Sequence, residues 1–325
     1  MYKKLLFLII FSALISTILL GCNKSTSSEA IASLPAKATK TKNITLIMKT
    51  LTNPFFIEME KGARQAESEL GIKLTVKTGA KETSIEQQIA IVEEAITSKV
   101  DAIVIAPGSS IELIPVLKKA QDAKIPIVNI DNRLNPDLSK RIGLVDVPFI
   151  SVDNKNGGYL SAKYISDKIT KPMKVAIIEG IRGADNNEQR KAGAIKAFAE
   201  NKNITLVAQE TANWNIDEGY AIAKIIFTAT PGIGAIFCAN DMMALGVIQY
   251  LDESNRKNIL LAGFDDLSEA ETAITQGKMS NTIDQQAILQ GYTGVKLAVD
   301  LINGKTPTNL ITLIDVKVIN ANNIK

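Results

Sequence analysis

The stretch ITLIMKTLTNPFFIEMEKGARQAESELGIKLTV, residues 44–76, holds one complete unit of the fold. Ile44–Met48 is a short apolar run of the length a strand buried on both faces needs. Pro54–Leu70 carries a helical pattern ended by Gly71, and Leu74–Val76 is a second short run. Strand, helix and strand over so short a span form the crossover unit of a parallel sheet.

The alternation continues outward from that unit. Ser84–Ser98 places Ile85, Ile89, Val92 and Ile96 on one helical stripe. Ala102–Ala106 is a strand, Ile111–Ala123 a helix and Ile127–Ile130 a strand. The pattern restarts at Lys174–Glu179. Strands Thr205–Gln209, Ala235–Cys238 and Leu260–Phe264 alternate with helices Asn187–Asn201, Asp217–Thr228, Met242–Asp252 and residues 269–277. A longer helix, Gln286–Ile302, and a terminal strand, Ile311–Val318, finish the chain. The reading is an α/β fold of two successive units, each a parallel sheet covered on both faces.

Ahead of these units stand Lys3, Lys4 and an apolar run from Leu5 to Leu20, then Gly21, Cys22 and a tail rich in Ser, Thr, Lys and Ala. A basic head and an apolar run of this length read as a secretory signal. The run is shorter than the roughly 20 residues that span a bilayer. Leu19-Leu20-Gly21-Cys22 resembles the lipobox of bacterial lipoproteins. That resemblance implies a signal peptide over 1–21, a lipid on Cys22 and a flexible tether over 22–43. The mature protein is then exported to the cell envelope and lipid-anchored, in the periplasm or on the outer face of the cytoplasmic membrane.

Composition excludes several classes. The 325 residues suffice for two domains. The formal charge of +3 includes Lys3 and Lys4 of the leader, so the remainder is near neutral and no nucleic-acid partner is expected. Histidine is absent, which removes Ser-His-Asp and Cys-His catalysis and the commonest metal ligand. Cys238 is the one thiol besides Cys22, so there is no disulfide framework. No Gly-Lys-Ser/Thr phosphate loop is present. Asp265 and Asp266 are an acidic pair a glycosidase could use, but adjacent side chains point apart. A DNA-binding repressor would need a helix-turn-helix ahead of the first strand, where the leader and tether stand. No enzyme activity, cofactor or metal is expected.

Ligands of open parallel sheets bind beyond the carboxyl ends of the strands. Lys49, Asn53, Phe55 and Phe56 follow the first strand; Asp131, Asn132 and Arg133 follow Ile127–Ile130. The Lys174 strand runs into residues 180–190, with Glu188 and Arg190; Trp214 follows the Thr205 strand. Asn240 and Asp241 follow Cys238, Asp265 follows Phe264, and Gln285 follows Asp284. Carboxylates, amides and guanidinium groups match adjacent hydroxyls, and aromatic faces cover the C–H face of a sugar. Each polar group also has a structural reading. Asp241 is placed to cap the helix that begins at Met242, and Asp185 or Asn186 to cap the helix leading to Arg190.

Together Thr50–Phe56 (TLTNPFF), Ile127–Arg133 (IVNIDNR), Val152–Gly158 (VDNKNGG), Gly180–Arg190, Phe237–Gly246 (FCANDMMALG), Ala262–Asp266 (AGFDD) and Asn281–Gln285 (NTIDQ) resemble the ribose-binding protein family. These are the sugar-binding components of bacterial ABC transporters, related to the lac-repressor core. The resemblance implies two Rossmann-like lobes joined by three crossovers. The first lobe would take 44–152 and 286–313, the second 153–285 and 314–325. It places ligand contacts at Lys49, Asn53, Phe55, Phe56, Asp131, Asn132 and Arg133 from the first lobe. Glu188, Arg190, Trp214, Asn240, Phe264, Asp265 and Gln285 serve from the second lobe and hinge. Two departures matter. Asn132 intervenes between Asp131 and Arg133, and Glu188 stands where the family's ligand arginine aligns. The expected ligand is therefore another pentose, a hexose or an open-chain polyol as much as ribose. The implied protein is a monomer whose closed form is read by an ABC permease, or by a chemoreceptor or kinase ectodomain if it serves as a sensor.

Overall fold

The computed structural model describes residues 41–324, so the leader 1–21, Cys22 and the tether as far as residue 40 lie outside the described residues. Thr41–Lys325 form one compact unit. Asn43, read from sequence as the end of the tether, instead opens the first strand, its N–H donating to Asp101 Oδ2 at 2.7 Å.

In chain order the elements are β1 (Asn43–Met48), α1 (Pro54–Leu70), β2 (Lys73–Thr78), α2 (Ile85–Thr97), β3 (Ala102–Ile105), α3 (Ile114–Asp122), β4 (Ile127–Ile130), α4 (Pro136–Ile142) and β5 (Phe149–Val152). Then come α5 (Asn154–Ser166), β6 (Met173–Glu179), α6 (Asp185–Ala199), β7 (Ile204–Thr211), α7 (Ile216–Ala229), β8 (Ile233–Cys238), α8 (Asp241–Glu253), β9 (Leu260–Ala262), α9 (Ser268–Thr275) and β10 (Asn281–Asp284). The chain ends with α10 (Ala287–Ile302), β11 (Ile311–Ile314) and β12 (Lys317–Asn320).

The strands build two six-stranded sheets, ordered β11-β5-β4-β3-β1-β2 and β12-β10-β9-β8-β6-β7. All pairs are parallel except β12 against β10 at one edge. Every residue of β3 and β4 is buried, as strands covered on both faces require, and the one polar residue among them, Asn129, is hydrogen-bonded to backbone carbonyls. The chain passes between sheets three times: from β5 to α5, from β10 to α10 and from β11 to β12. One region therefore joins two α/β lobes and forms their hinge.

The segment Ile311–Val318, read as one strand, is two. Its first half extends the first sheet beside β5, and its second half edges the other sheet beside β10. A run of β-formers carries no mark of which sheet each half joins. The sequence reading also passes over α4, β5 and β10, of which β5 and β10 are four residues each. The resemblance opens the second-lobe helix at Gly157-Gly158, and α5 starts earlier, at Asn154.

Helix α1 shows how local sequence aims a strand exit. Asn53 caps it by accepting from Phe55 N–H, Pro54 occupies the first turn, and Gly71 ends it in the left-handed conformation. The helix packs on α10, which returns to the first lobe, through facing glycines. A Cβ on Gly62 would lie 1.9 Å from the Ile288 carbonyl oxygen, and one on Gly291 would lie 2.0 Å from that of Met59. Backbone touches backbone at this crossing, so no side chain can yield. Gly291→Ala is expected to destabilise the protein by about 1–3 kcal/mol, the usual cost of overpacking. Urea unfolding at equilibrium checks this, and a wild-type midpoint would show that the two helices part without penalty.

Candidate functional site

Three of the strand exits turn through backbone conformations that L-residues seldom adopt. Asp131 (φ 63°), Trp214 (φ 65°) and Asp265 (φ 127°) each sit just past the carboxyl end of a strand. Such residues cost of order 1–3 kcal/mol each and persist where the surroundings fix them, commonly at functional sites. Here they gather around one cleft between the lobes.

That cleft narrows to a small pocket lined by Lys49, Asn53, Phe55, Phe56, Glu82, Asn186, Arg190, Trp214, Asn240 and Asp265. Phe55 and Phe56 meet edge to face at 5.1 Å, and both are buried. Trp214 lies opposite them, with Lys49 Nζ 5.9 Å from its ring centroid and 5.5 Å from that of Phe56. Its indole packs directly on Gly180, where a Cβ would stand 2.2 Å from the ring. Buried Trp214 Nε1 has no acceptor among the described residues, although buried indole N–H groups ordinarily find one.

The first-lobe side of the cavity is a buried charge cluster. Lys49 Nζ lies 2.8 Å from Asp131 Oδ2 and 3.7 Å from Glu82 Oε2. Glu82 Oε1 accepts from Asn53 Nδ2 at 2.8 Å, while Asn53 Oδ1 is held by Phe55 N–H. Burial pushes the Glu82 carboxyl up, against the pull of Lys49 and Asn53.

The second-lobe side is organised by Arg190. Its Nε donates to Asn154 Oδ1 at 2.8 Å, its guanidinium to the Ala239 carbonyl at 3.0 Å and to Gln285 Oε1 at 3.2 Å. Asp265 Oδ1 lies 3.4 Å away and also accepts from Gln285 Nε2 at 2.7 Å. The guanidinium stacks on Phe264, 3.7 Å from its centroid. Burial lowers the Arg190 pKa from its ordinary value and raises that of Asp265 well above the carboxylate range, while each charge opposes the shift of the other.

Eight of the residues singled out by sequence therefore line the cavity: Lys49, Asn53, Phe55, Phe56, Arg190, Trp214, Asn240 and Asp265. Six do not. Asp131 stands behind Lys49, and Phe264 lies beneath Arg190 with no exposed surface. Gln285 orients Arg190 and Asp265. Asn132 bonds to Pro107, Ser110 and Asn186. Arg133 lies over the Phe149 ring, 5.8 Å from its centroid. Glu188 is turned away from the cleft: it accepts from Gly183 N–H at 3.0 Å and pairs with Lys191 at 2.5 Å. The reason is helical phase. Asn186 and Arg190 are four residues apart on one face of α6, and Glu188, midway between them, falls on the other.

Two lining residues, Glu82 and Asn186, were not singled out by the sequence reading. Glu82 follows β2 and obeys the strand-exit rule, on a strand that is itself half exposed. Two capping assignments also change. Asn240, not Asp241, caps α8 by accepting from Met243 N–H. The N-cap of α6 is Ala184, which offers no side-chain acceptor, and neither Asp185 nor Asn186 fills that place. Buried Asp241 instead accepts from Leu267 N–H and Thr282 Oγ1, tying α8 to the β9 exit and to β10.

The residues 44–306 match the family model described as Periplasmic binding protein domain. The chain is 36% identical over 282 residues to the D-ribose/D-allose-binding protein of Pseudomonas aeruginosa, covering 85% of this chain and 87% of that one. It is 33% identical to the D-allose-binding periplasmic protein of Escherichia coli, over 78% of this chain and 83% of that one. Among solved structures, an ABC transporter periplasmic solute binding protein from Actinobacillus succinogenes with bound D-allose superposes with a TM-score of 0.82 at 40% identity, covering 87% of this chain and 98% of that chain.

Two outcomes test this description. Lys49→Met strands two buried carboxylates and is expected to cost about 3–5 kcal/mol in urea unfolding, as breaking a buried ion pair does. Adding Glu82→Gln should recover part of that loss, and no recovery would show that the pair is not coupled. The second concerns Asp241, whose carboxyl is pushed up to about 7, chiefly by burial. Its folded pKa lies above its unfolded one, so the native state binds the extra proton. Stability from this group is full below about pH 4 and falls as pH rises through about 7. Asp241→Asn should remove that fall in a pH series of urea midpoints, and an unchanged profile would contradict it.

Proposed function

Because this chain belongs to the periplasmic binding protein family, we propose that it captures a monosaccharide between its lobes for delivery to an ABC importer and is held at the membrane by a lipid on Cys22. The observation that carries the reading is the lining of the cavity. Its walls are aromatic on both lobes, and its polar groups are buried and already oriented by their neighbours. Phe55, Phe56 and Trp214 cover the apolar faces of a sugar ring. Lys49, Glu82 and Asn53 meet hydroxyls from the first lobe, and Asn186, Arg190, Asp265 and Asn240 from the second. Trp214 Nε1 donates to a ring or hydroxyl oxygen.

A sugar bridging both walls binds only the closed arrangement, so it shifts the population towards closure. The permease then reads the closed form. D-allose and D-ribose, bound by relatives at 33–36% identity, are the first candidates. Glu188 lies outside the cavity, so it does not decide between them. Binding without turnover is the whole activity in this reading.

Thermal unfolding of residues 41–325 with D-allose, D-ribose, other pentoses and hexoses, and alditols tests the assignment. A ligand at 100 times its Kd stabilises the folded form by about 2.7 kcal/mol. One sugar should raise the midpoint, and Trp214→Ala should abolish the rise. No rise with any sugar or alditol would overturn the reading. For the anchor, the full chain expressed in bacteria should fractionate with membranes and Cys22→Ser should release it to the soluble fraction. A wild-type chain found in the soluble fraction would contradict lipidation.

A further inference from the structure

Helix α6 lacks a capping residue of its own, and its first N–H groups are satisfied from the other lobe. The residue at its N-cap, Ala184, has extended backbone and no side-chain acceptor. Asp185 N–H donates to Ser110 Oγ at 2.9 Å, and Asn186 N–H donates to Asn132 Oδ1 at 3.2 Å. Ser110 and Asn132 belong to the first lobe, after β3 and β4; α6 belongs to the second. The third N–H, of Asn187, is taken by the neighbouring Asn186 side chain.

The acceptors are fixed before they meet the helix. Asn132 Nδ2 donates to the Pro107 carbonyl at 3.0 Å, which leaves Oδ1 as the acceptor facing α6. Ser110 Oγ donates its proton to that same Oδ1 at 3.3 Å and turns a lone pair to Asp185 N–H. All four residues concerned are buried or half-buried. Helix N-termini carry orphan donors and a partial positive charge, and Ser and Asn are the side chains that best relieve both.

We propose that Ser110 and Asn132 are positioning residues for lobe closure, forming across the cleft the N-cap that α6 lacks within its own lobe. In the open arrangement the Asp185 and Asn186 N–H groups return to water. The closed state therefore carries a stabilising contact independent of the sugar, and part of the apparent affinity for any ligand comes from it. The same pairing sets the angle at which Asn186 and Arg190 enter the cavity, because both ride on the capped turn and the one after it. The inference rests on hinge closure and not on which ligand is bound.

Three variants of residues 41–325 test it. Ser110→Ala removes the cap acceptor, Ser110→Thr keeps a hydroxyl, and Ala184→Ser supplies a cap from within the second lobe. Titration calorimetry with the sugar found by the thermal panel should give an affinity about fivefold weaker for Ser110→Ala, the equivalent of ~1 kcal/mol. Ser110→Thr should stay near wild type. Ala184→Ser should raise the ligand-free melting midpoint while weakening affinity, two changes of opposite sign that a general packing defect would not produce. Spin labels at Glu112→Cys and Lys202→Cys, both exposed, report the closed fraction of the ligand-free chain, and fully buried Cys238 stays unlabelled. That fraction should fall in Ser110→Ala and in Ala184→Ser. If no sugar binds any variant, the sugar assignment fails and the closed fraction alone decides. Wild-type closed fraction and affinity in both variants, or a gain in affinity on Ala184→Ser, would overturn the cross-cleft cap.

Discussion

The buried guanidinium of Arg190 is the contact on which the second-lobe wall of the cleft depends. It ties together α5 through Asn154, the end of β8 through the Ala239 carbonyl, the β9 exit through Asp265, and the hinge through Gln285. Phe264 supplies an apolar floor beneath it. Removing such a charge from water costs several kcal/mol unless its donors are matched, and here the partners are drawn from four separate segments. The charge is thus satisfied only when those segments stand in their native relation. Asp265 and Gln285, whose polar atoms would be costly if unpaired, are oriented by the same group.

The first-lobe wall solves the same problem with a different cation. Lys49 leaves β1 and meets Asp131 from the β4 exit and Glu82 from the β2 exit, so the exits of three strands of one sheet converge on one ammonium. Asn53 extends this cluster to the cap of α1 and brings Phe55 and Phe56 to the cavity. Each wall is therefore preorganised by its own buried ion set, and the aromatic rings lie where the two sets face each other. Preorganisation of this kind lowers the cost of ordering side chains when a small polar molecule binds. The left-handed backbone at Asp131, Trp214 and Asp265 belongs to the same arrangement, since it turns these residues from their strands towards the cleft.

Much of this was legible in the amino-acid order. β1, α1, β2 and the strands that follow were visible as short apolar runs between amphipathic helices, because burial on both sheet faces and on one helix stripe leaves different periods. The rule that ligands meet strand exits found eight of ten cavity residues, from Lys49 to Asp265. Where it failed, the cause was local. Glu82 follows a half-exposed strand that looks unremarkable as a sequence. Asn186 was read as a helix cap, a role its residue type fits, while the true N-cap was an alanine. Glu188 was misplaced because a positional match to a family motif carries no information about helical phase.

The sequence by itself determined which residues form strands and helices, that two α/β units follow one another, and which polar and aromatic groups lie at strand ends. These depend on short-range periodicity, turn residues and burial. Periodicity alone left Ile311–Val318 as one strand; the resemblance put a crossing near residue 313, and the tertiary structure fixed the pairing of β11 with β5 and of β12 with β10. It also decided which polar side chains face the cavity and which bond to one another. The amides of Asn53, Asn132 and Asn240 could each have served a ligand, a cap or a neighbouring lobe. Asn53 and Asn240 serve local caps, whereas the partners of Asn132 are tens of residues away, beyond the reach of a local reading.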